Sequence, residues 1–218
     1  MNPPEPIQAV IFDLDGVIVS TDDCHARAWQ RLAEEESVPV TPGQLERCRG
    51  VSRMESLDIV LEQSPRDYTP EEKHALAERK NRYYRDSLAH LGPDDLLPGI
   101  RPLLDDLRTA GIRQAIGSSS RNTPFILKQI GLDAFFDAVA DGNDITRSKP
   151  DPEVFLLAAE RLGIPPPSCV VIEDAAAGVE AGVAAGMRVV AVGSAAGHPK
   201  AWKSLPGCEN LARILTHP

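Results

Sequence analysis

The sequence is poor in cysteine, and its cysteines are not clustered. Cys24, Cys48, Cys169 and Cys208 lie far apart, and no two of them form a C-x-x-C pair. Structural zinc sites and disulfide frameworks use closely or regularly spaced cysteines, so the sequence predicts neither. We therefore expect reduced thiols and a cytoplasmic location.

Long hydrophobic runs and an excess of basic residues are also missing. No apolar stretch approaches the roughly 20 residues of a membrane span, and residues 1–10 lack the basic and apolar regions of a secretory signal. The chain carries 23 Lys and Arg against 32 Asp and Glu, a net charge of −9. Proteins that bind nucleic acids or membrane surfaces use basic faces, so we expect neither partner, but rather a small molecule.

The sequence does contain enough apolar material for a substantial core, since 42% of its 218 residues are hydrophobic. Five short apolar runs predict strands, at residues 7–12, 113–117, 138–140, 169–172 and 188–192. From the second run onward, a segment with helical character separates each run from the next. This pattern is typical of parallel strands in a doubly wound, Rossmann-like α/β sheet.

The first gap between predicted strands holds about a hundred residues, far more than one crossover helix needs. Three capping-box spacings within it mark helix starts, and the predicted helices cover residues 23–36, 42–48, 53–62 and 70–90. We predict an α-helical cap domain over residues 20–91, inserted into a catalytic core of residues 1–19 and 92–218. Because each part can bury its own core, we expect a monomer.

Four carboxylates stand at predicted strand ends. Asp13 and Asp15 follow the first strand, and residues two apart in an extended segment face the same side. Glu173 and Asp174 follow the fourth strand. Because ligands of open α/β sheets bind at the carboxyl ends of the strands, we expect these acids to lie together. Without thiols or a histidine pair, such a group suits Mg²⁺.

A phosphoryl group bridged to such a cation needs further positive charge and hydrogen-bond donors. Ser118 follows the second strand and Lys149 precedes the fourth, so both can hold it, and a carboxylate can serve as the nucleophile. Each residue alone also fits a plainer role as a turn residue, a helix cap or a solvated surface charge. The combination favours phosphoryl transfer.

Four segments resemble, in order and spacing, the signatures of the haloacid dehalogenase superfamily. They are DLDGV (13–17), SSS (118–120), SKPDP (148–152) and VIEDAAAGVEA (171–181). The resemblance implies that Asp13 becomes phosphorylated and that Asp15 is the general acid and base. It also implies that Mg²⁺ is held by Asp13, the backbone carbonyl of Asp15 and Asp174, with Glu173 as a further ligand or partner, and that Ser118 and Lys149 hold the phosphoryl group.

Further segments are similar to the β-phosphoglucomutase branch of that superfamily: HARAW (25–29), RGVSR (49–53), ERKNRYY (78–84) and SSSRN (118–122). This resemblance implies interconversion of β-D-glucose 1-phosphate and glucose 6-phosphate, with β-glucose 1,6-bisphosphate as the priming intermediate. The residues it implicates in substrate binding are His25, Trp29, Gly50, Arg53, Lys80, Ser120 and Asn122. For Trp29, simple packing of the cap is an equal alternative.

The chain departs from that pattern at Ser20, Arg49, Ser119 and Arg121, where an acid, Lys, Ala and Lys are usual. These departures affect the hinge near Ser20 and Thr21 and the contacts that face the sugar. Two alternatives stay open. A sugar-phosphate phosphatase on the same scaffold would transfer the phosphoryl group to water. A signalling receiver domain also phosphorylates an aspartate at a strand end, but it needs neither a cap nor an acid/base at Asp15.

Overall fold

Six parallel strands form one sheet in the computed structural model, which describes residues 5–49, 51–209 and 211–216. The strands are β1 (Ala9–Phe12), β2 (Arg113–Gly117), β3 (Ala138–Ala140), β4 (Cys169–Glu173), β5 (Arg188–Ala191) and β6 (Lys203–Ser204). They lie in the order β3-β2-β1-β4-β5-β6 and pair in parallel throughout. The predicted fold class is confirmed.

The central strand β1 shows how the sequence builds this sheet. It pairs with β2 on one side and β4 on the other, and all four of its residues are buried. Ala9 and Ile11 belong to one apolar cluster, whereas Val10 and Phe12 belong to another. Side chains alternate along a strand, so a continuous apolar run requires cover on both faces of the sheet.

Between β1 and β2 the chain forms α1 (Asp22–Glu35), α2 (Pro42–Arg47), α3 (Arg53–Val60) and α4 (Pro70–Leu88). Capping boxes start three of these helices, at Thr41, Ser52 and Thr69. In each, the Ser or Thr side chain accepts a hydrogen bond from the backbone N–H three residues on, and the side chain there accepts one in return. The predicted helix starts are therefore confirmed.

The four inserted helices bury an apolar cluster of their own, which includes Trp29, Leu57 and Leu76. Tyr84 and Leu88, near the end of α4, pack instead into the cluster on one face of the sheet. The cap is thus anchored to the core at the base of α4. The domain limits at residues 20 and 91 remain a prediction.

Helices cover both faces of the sheet. In chain order they are α5 (Ile100–Thr109), α6 (Thr123–Gln129), α7 (Glu153–Leu162), α8 (Ala176–Ala184) and α9 (Leu211–Thr216). Helices α5, α6 and α9 share the apolar cluster of Val10 and Phe12, and α7 and α8 share that of Ala9 and Ile11. Among the described residues, no helix is long and apolar enough to cross a membrane.

Candidate active site

A cleft of about 1370 Å³ lies between the carboxyl ends of the strands and the inserted helices. Its core wall includes Asp13, Ser118 and Lys149, and its cap wall includes Arg53 and Lys80. Ligands of doubly wound sheets bind at this edge, and the cap covers it here. The cleft is therefore the candidate active site.

Three carboxylates lie together at the carboxyl ends of β1 and β4, and those of Asp13 and Asp174 line the cleft. Candidate ligand atoms of Asp13, Glu173 and Asp174 lie within 4.8 Å of one another, and all three residues are buried. Lys149 is also buried, and its Nζ pairs with Asp13 and, at 2.7 Å, with Glu173 Oε1. A buried group of hard carboxylate oxygens, with room left in the cleft for water and phosphate oxygens, fits Mg²⁺.

The carboxylates of this group crowd one another electrostatically. Burial raises the pKa of Asp13 well above its ordinary value, against the opposing effect of Lys149. Burial and the charge of Glu173 raise the pKa of Asp174 to about 7. Burial lowers the pKa of Lys149, but the negative charges of Asp13 and Glu173 raise it by more, so its pKa lies above the ordinary value. A divalent cation would relieve the repulsion among the carboxylates.

Two glycines let the backbone come close to these carboxylates. Gly16 has a φ of +83°, and a side chain there would collide with the Asp174 carboxylate. Gly178, in α8, lies so close to Glu173 that a Cβ would overlap the Glu173 carboxylate. The Glu173 carboxylate also accepts a hydrogen bond of 2.7 Å from the Ala175 N–H, just before α8. Glu173 therefore bonds the backbone at the start of α8 and also belongs to the group of three carboxylates.

Asp15 stands apart from the three-carboxylate group. Its carboxylate accepts a hydrogen bond from the Thr21 hydroxyl, which in turn accepts one of 3.1 Å from the Tyr84 hydroxyl. Burial raises the pKa of Asp15 to about 6, and the bond from Thr21 opposes this rise. A carboxyl group with such a pKa exchanges protons near neutral pH, as a general acid and base must. Coordination of a metal by the Asp15 backbone carbonyl remains a prediction.

Buried Lys80 and half-buried His25 form a pair in the cap. Lys80 Nζ lies 2.8 Å from His25 Nδ1, 4.5 Å from the Trp29 ring centroid and 4.7 Å from that of Tyr84. Burial, followed by the charge of Arg53, lowers the pKa of Lys80 to about 7. Trp29 is 2% exposed and packs in the cap cluster, so its packing role is present. Its ring also packs against the Lys80 ammonium group.

The Asp15 carboxylate is contacted by a residue that the sequence analysis did not assign to the site. Thr21 bonds Asp15 directly, whereas His25 stacks on Tyr84 with ring centroids 3.9 Å apart. Sequence reasoning missed Tyr84 as part of this network. Its only sequence signal is its place in the ERKNRYY segment, four residues after Lys80 and thus on the same helix face.

The upper cleft carries the remaining predicted substrate residues. Arg53 begins α3 and pairs with Glu78. Burial lowers the pKa of Arg53, and the nearby charge of Arg121 lowers it further, although Glu78 opposes both effects. Two cations that face the same space create a site for an anion. Gly50 lies outside the described residues.

The loop after β2 is held by its own hydroxyl groups. Ser118 Oγ accepts a hydrogen bond of 3.1 Å from the Ser120 N–H, and Ser120 Oγ accepts one of 3.2 Å from the Asn122 N–H. Asn122 Nδ2 donates to Asn81 Oδ1 of α4 at 2.8 Å, across the cleft. The loop therefore connects the Ser118 end of the cleft to the cap.

Comparison with known proteins identifies the family. Residues 7–186 match the haloacid dehalogenase-like hydrolases. The chain belongs to this family. The β-phosphoglucomutase of Bacillus subtilis (strain 168) is 44% identical over 189 residues, which cover 86% of this chain and 84% of that protein. The predicted superfamily resemblance is therefore confirmed.

Relatives with other activities and solved structures extend the comparison. A phosphorylated carbohydrates phosphatase of Thermotoga maritima is 33% identical, over 84% of this chain and 83% of that one. The crystal structure of a β-phosphoglucomutase from Clostridium difficile superposes with a TM-score of 0.89 at 39% identity. The superposition covers 94% of this chain and 93% of the Clostridium difficile chain.

Proposed function

We propose that this protein is a Mg²⁺-dependent β-phosphoglucomutase. It interconverts β-D-glucose 1-phosphate and glucose 6-phosphate through an aspartyl-phosphate at Asp13 and a β-glucose 1,6-bisphosphate intermediate. One observation carries the proposal: a single cleft has Lys149 beside the Asp13 carboxylate on one wall and Arg53 with Lys80 on the other. A mutase needs two such anion sites because its intermediate carries a phosphate at each end.

The first transfer uses the two aspartates in different roles. The Asp13 carboxylate attacks phosphorus, a new P–O bond forms to Asp13, and the bond from phosphorus to the sugar oxygen breaks. Asp15 gives its proton to that leaving oxygen. Asp13, Glu173 and Asp174 would hold Mg²⁺, which neutralises phosphoryl oxygens when bound. Lys149 and Ser118 donate hydrogen bonds to the same oxygens.

The second transfer runs in reverse on a different hydroxyl. Asp15, now ionised, takes the proton of the incoming sugar hydroxyl, whose oxygen attacks the phosphoryl group and releases the Asp13 carboxylate. The sugar bisphosphate then turns over between its two orientations, held at the far phosphate by Arg53 with Ser120 and Asn122. Trp29, His25 and Lys80 line the sugar space, and a sugar contact by Gly50 stays a prediction. Closure of the cap keeps water away from the aspartyl-phosphate.

Substitution of Arg53 by Ala tests the distal site. We expect the mutase rate to fall about 10- to 100-fold, the effect of losing a charge-assisted hydrogen bond. Phosphorylation of Asp13 by a small phosphoryl donor should change little. Arg66→Ala is the matched control, because Arg66 forms an exposed pair with Glu72 in the same cap. Equal losses in the two reactions would refute the distal role of Arg53.

A phosphatase is the second candidate, favoured by the Thermotoga maritima relative. It would use Asp13 and Asp15 in the same way but pass the phosphoryl group to water. Family membership removes the receiver-domain alternative, and the cap of four helices agrees with that conclusion. The proposal also includes a monomer in the cytoplasm, with a sugar phosphate as its small-molecule partner.

A further inference from the structure

Arg49 joins the cap to the carboxylates at the ends of β1 and β4. It lies between α2 and α3, and its Nη2 is 2.6 Å from Asp174 Oδ2 and 2.7 Å from Asp22 Oδ2. The Arg49 side chain is 26% exposed and that of Asp174 only 6%. The ion pair to Asp174 therefore crosses from the cap to the core and is largely shielded from solvent.

The partner of Arg49 is one of the three carboxylates that fit a metal ion. Asp174 groups with Asp13 and Glu173, and Lys149 already pairs with those two. Asp174 is the member of the group whose charge Arg49 balances. A divalent cation bound by the three carboxylates would draw on the same negative charge. The guanidinium group and the metal ion therefore compete for Asp174.

Release of Arg49 would not leave its charge unpaired. Asp22, at the start of α1, holds the same Nη2, and Glu46 Oε2 lies 3.7 Å from Nη1. Both acids belong to the cap, so the guanidinium group keeps partners when it leaves the core. A neutral hydrogen bond from Asn122 to Asn81 also crosses the cleft, but its strength does not depend on a cation.

We propose that Arg49 is a cation-sensitive latch: its ion pair with Asp174 holds the cap against the core until a divalent cation takes over that carboxylate. Binding of the metal then frees the cap to open and admit substrate. Closure of the cap by Arg49 lowers the affinity for the metal, and binding of the metal disfavours this closure by the same free energy. The inference rests on the proposed function only in taking Mg²⁺ as the ion.

The test compares Arg49→Gln with Arg47→Gln. Arg47 is the matched control because it lies two residues away and forms an exposed pair with Glu62. Calorimetric titration of the whole chain with Mg²⁺, without any sugar, gives the dissociation constant. We expect Arg49→Gln to bind Mg²⁺ about five- to tenfold more tightly than the wild type, at the low end of the usual range of coupling between sites. Arg47→Gln should match the wild type.

Small-angle X-ray scattering on the same samples reports the position of the cap. The radius of gyration of the wild type should increase on addition of Mg²⁺. That of Arg49→Gln should already be larger without Mg²⁺ and should then change little. Neither measurement involves turnover of a sugar, so failure of the latch and failure of the proposed mutase activity are distinguishable.

Several results would overturn the latch. Unchanged or weaker Mg²⁺ binding by Arg49→Gln would show that Arg49 does not compete with the metal. Tighter binding without a difference in the radius of gyration would reduce Arg49 to a through-space electrostatic effect. Circular dichroism checks the fold. If Arg49→Gln fails to fold, Arg49→Lys replaces it. A lysine offers one flexible point charge, so the cap should be held less firmly and the protein should bind Mg²⁺ more tightly than the wild type. Equal Mg²⁺ binding by Arg49→Lys and the wild type would contradict the proposal.

Discussion

Asp13 and Asp15 are two residues apart, yet their surroundings differ. Asp13 pairs with Lys149 inside a group of carboxylates, whereas Asp15 faces Thr21 and has a pKa of about 6. One environment suits a nucleophile that transfers a phosphoryl group, and the other suits an acid and base. The difference arises because Asp15 faces the cap hinge at Thr21 and the base of α4.

Substitution at these two positions should separate their roles. Asp13→Asn should abolish both turnover and the phosphorylated protein, because the amide is not a nucleophile. Asp15→Asn should still accept a phosphoryl group from a donor with a good leaving group, but turn over sugar phosphates about 10²- to 10⁴-fold more slowly. Intact-mass spectrometry and turnover assays measure the two effects. Asp23→Asn, on an exposed part of α1, is the control; phosphorylated Asp13→Asn protein would contradict the scheme.

Lys80 should make stability depend on pH. Its pKa is about 7 when folded and about 10.4 when unfolded. Between these values the unfolded chain binds a proton that the folded chain lacks, so this residue makes stability rise with pH across that window. Below about pH 7 both states are charged at Lys80, and the folded protein bears the full cost of the buried charge.

Replacement of Lys80 by Met should therefore stabilise the fold, by about 2–4 kcal/mol at pH 6 and by little near pH 10. Urea denaturation at a series of pH values measures the effect. Lys73→Met, on the more exposed part of the same helix and paired with Asp58, should show no such pH dependence. A gain for Lys80→Met that is the same at every pH would argue against a buried, easily deprotonated lysine.

Sheet topology predicts some of the residues that form the site. The rule that strand ends meet at one edge of the sheet was enough to bring Asp13, Lys149 and Asp174 together. It could not reveal that Thr21 bonds Asp15 or that Tyr84 supports Thr21. Those contacts depend on how the end of α4 packs against Thr21. Neither helical periodicity nor capping signals specify that packing.

Helix α8 shows how an element positions the site. Gly178→Ala would place a methyl group against the Glu173 carboxylate, whereas Gly43 in α2 has open space around its Cα. We expect Gly178→Ala to lose about 1–3 kcal/mol of stability through overpacking and to bind Mg²⁺ more weakly. Gly43→Ala should gain about 0.4–1 kcal/mol and leave Mg²⁺ binding unchanged. Thermal unfolding and calorimetry test both; unaltered Mg²⁺ binding by Gly178→Ala would show that the Glu173 position is not critical.

The elements themselves were predictable where the local signal is strong. Helix α1 was predicted at 23–36 and forms at Asp22–Glu35, and β2 forms at the predicted 113–117. Strand β6 and helix α9 were missed. Strand β6 has two residues, Lys203–Ser204, too few to show alternation, and exists because β5 offers an edge to pair with. Helix α9 has only six residues and packs against α5.

The whole molecule should be more stable with Mg²⁺, because the folded state gathers the carboxylates that the unfolded chain disperses. At a free concentration of 100 times the dissociation constant, Mg²⁺ should raise the free energy of unfolding by about 2.7 kcal/mol. Asp174→Asn should lose most of this gain, whereas Asp58→Asn, an exposed change in the cap, should keep it. Urea denaturation with and without Mg²⁺ measures this gain. If Mg²⁺ stabilises the Asp174→Asn protein as much as the wild type, the ion binds elsewhere.

In the proposed reaction, the cleft passes its phosphoryl group to a sugar and not to water. Phosphorus NMR of the protein with Mg²⁺, β-glucose 1-phosphate and a trace of β-glucose 1,6-bisphosphate follows both outcomes at once. We expect glucose 6-phosphate to accumulate with little inorganic phosphate. Stoichiometric release of inorganic phosphate would contradict the mutase assignment and make the protein a phosphatase on the same scaffold.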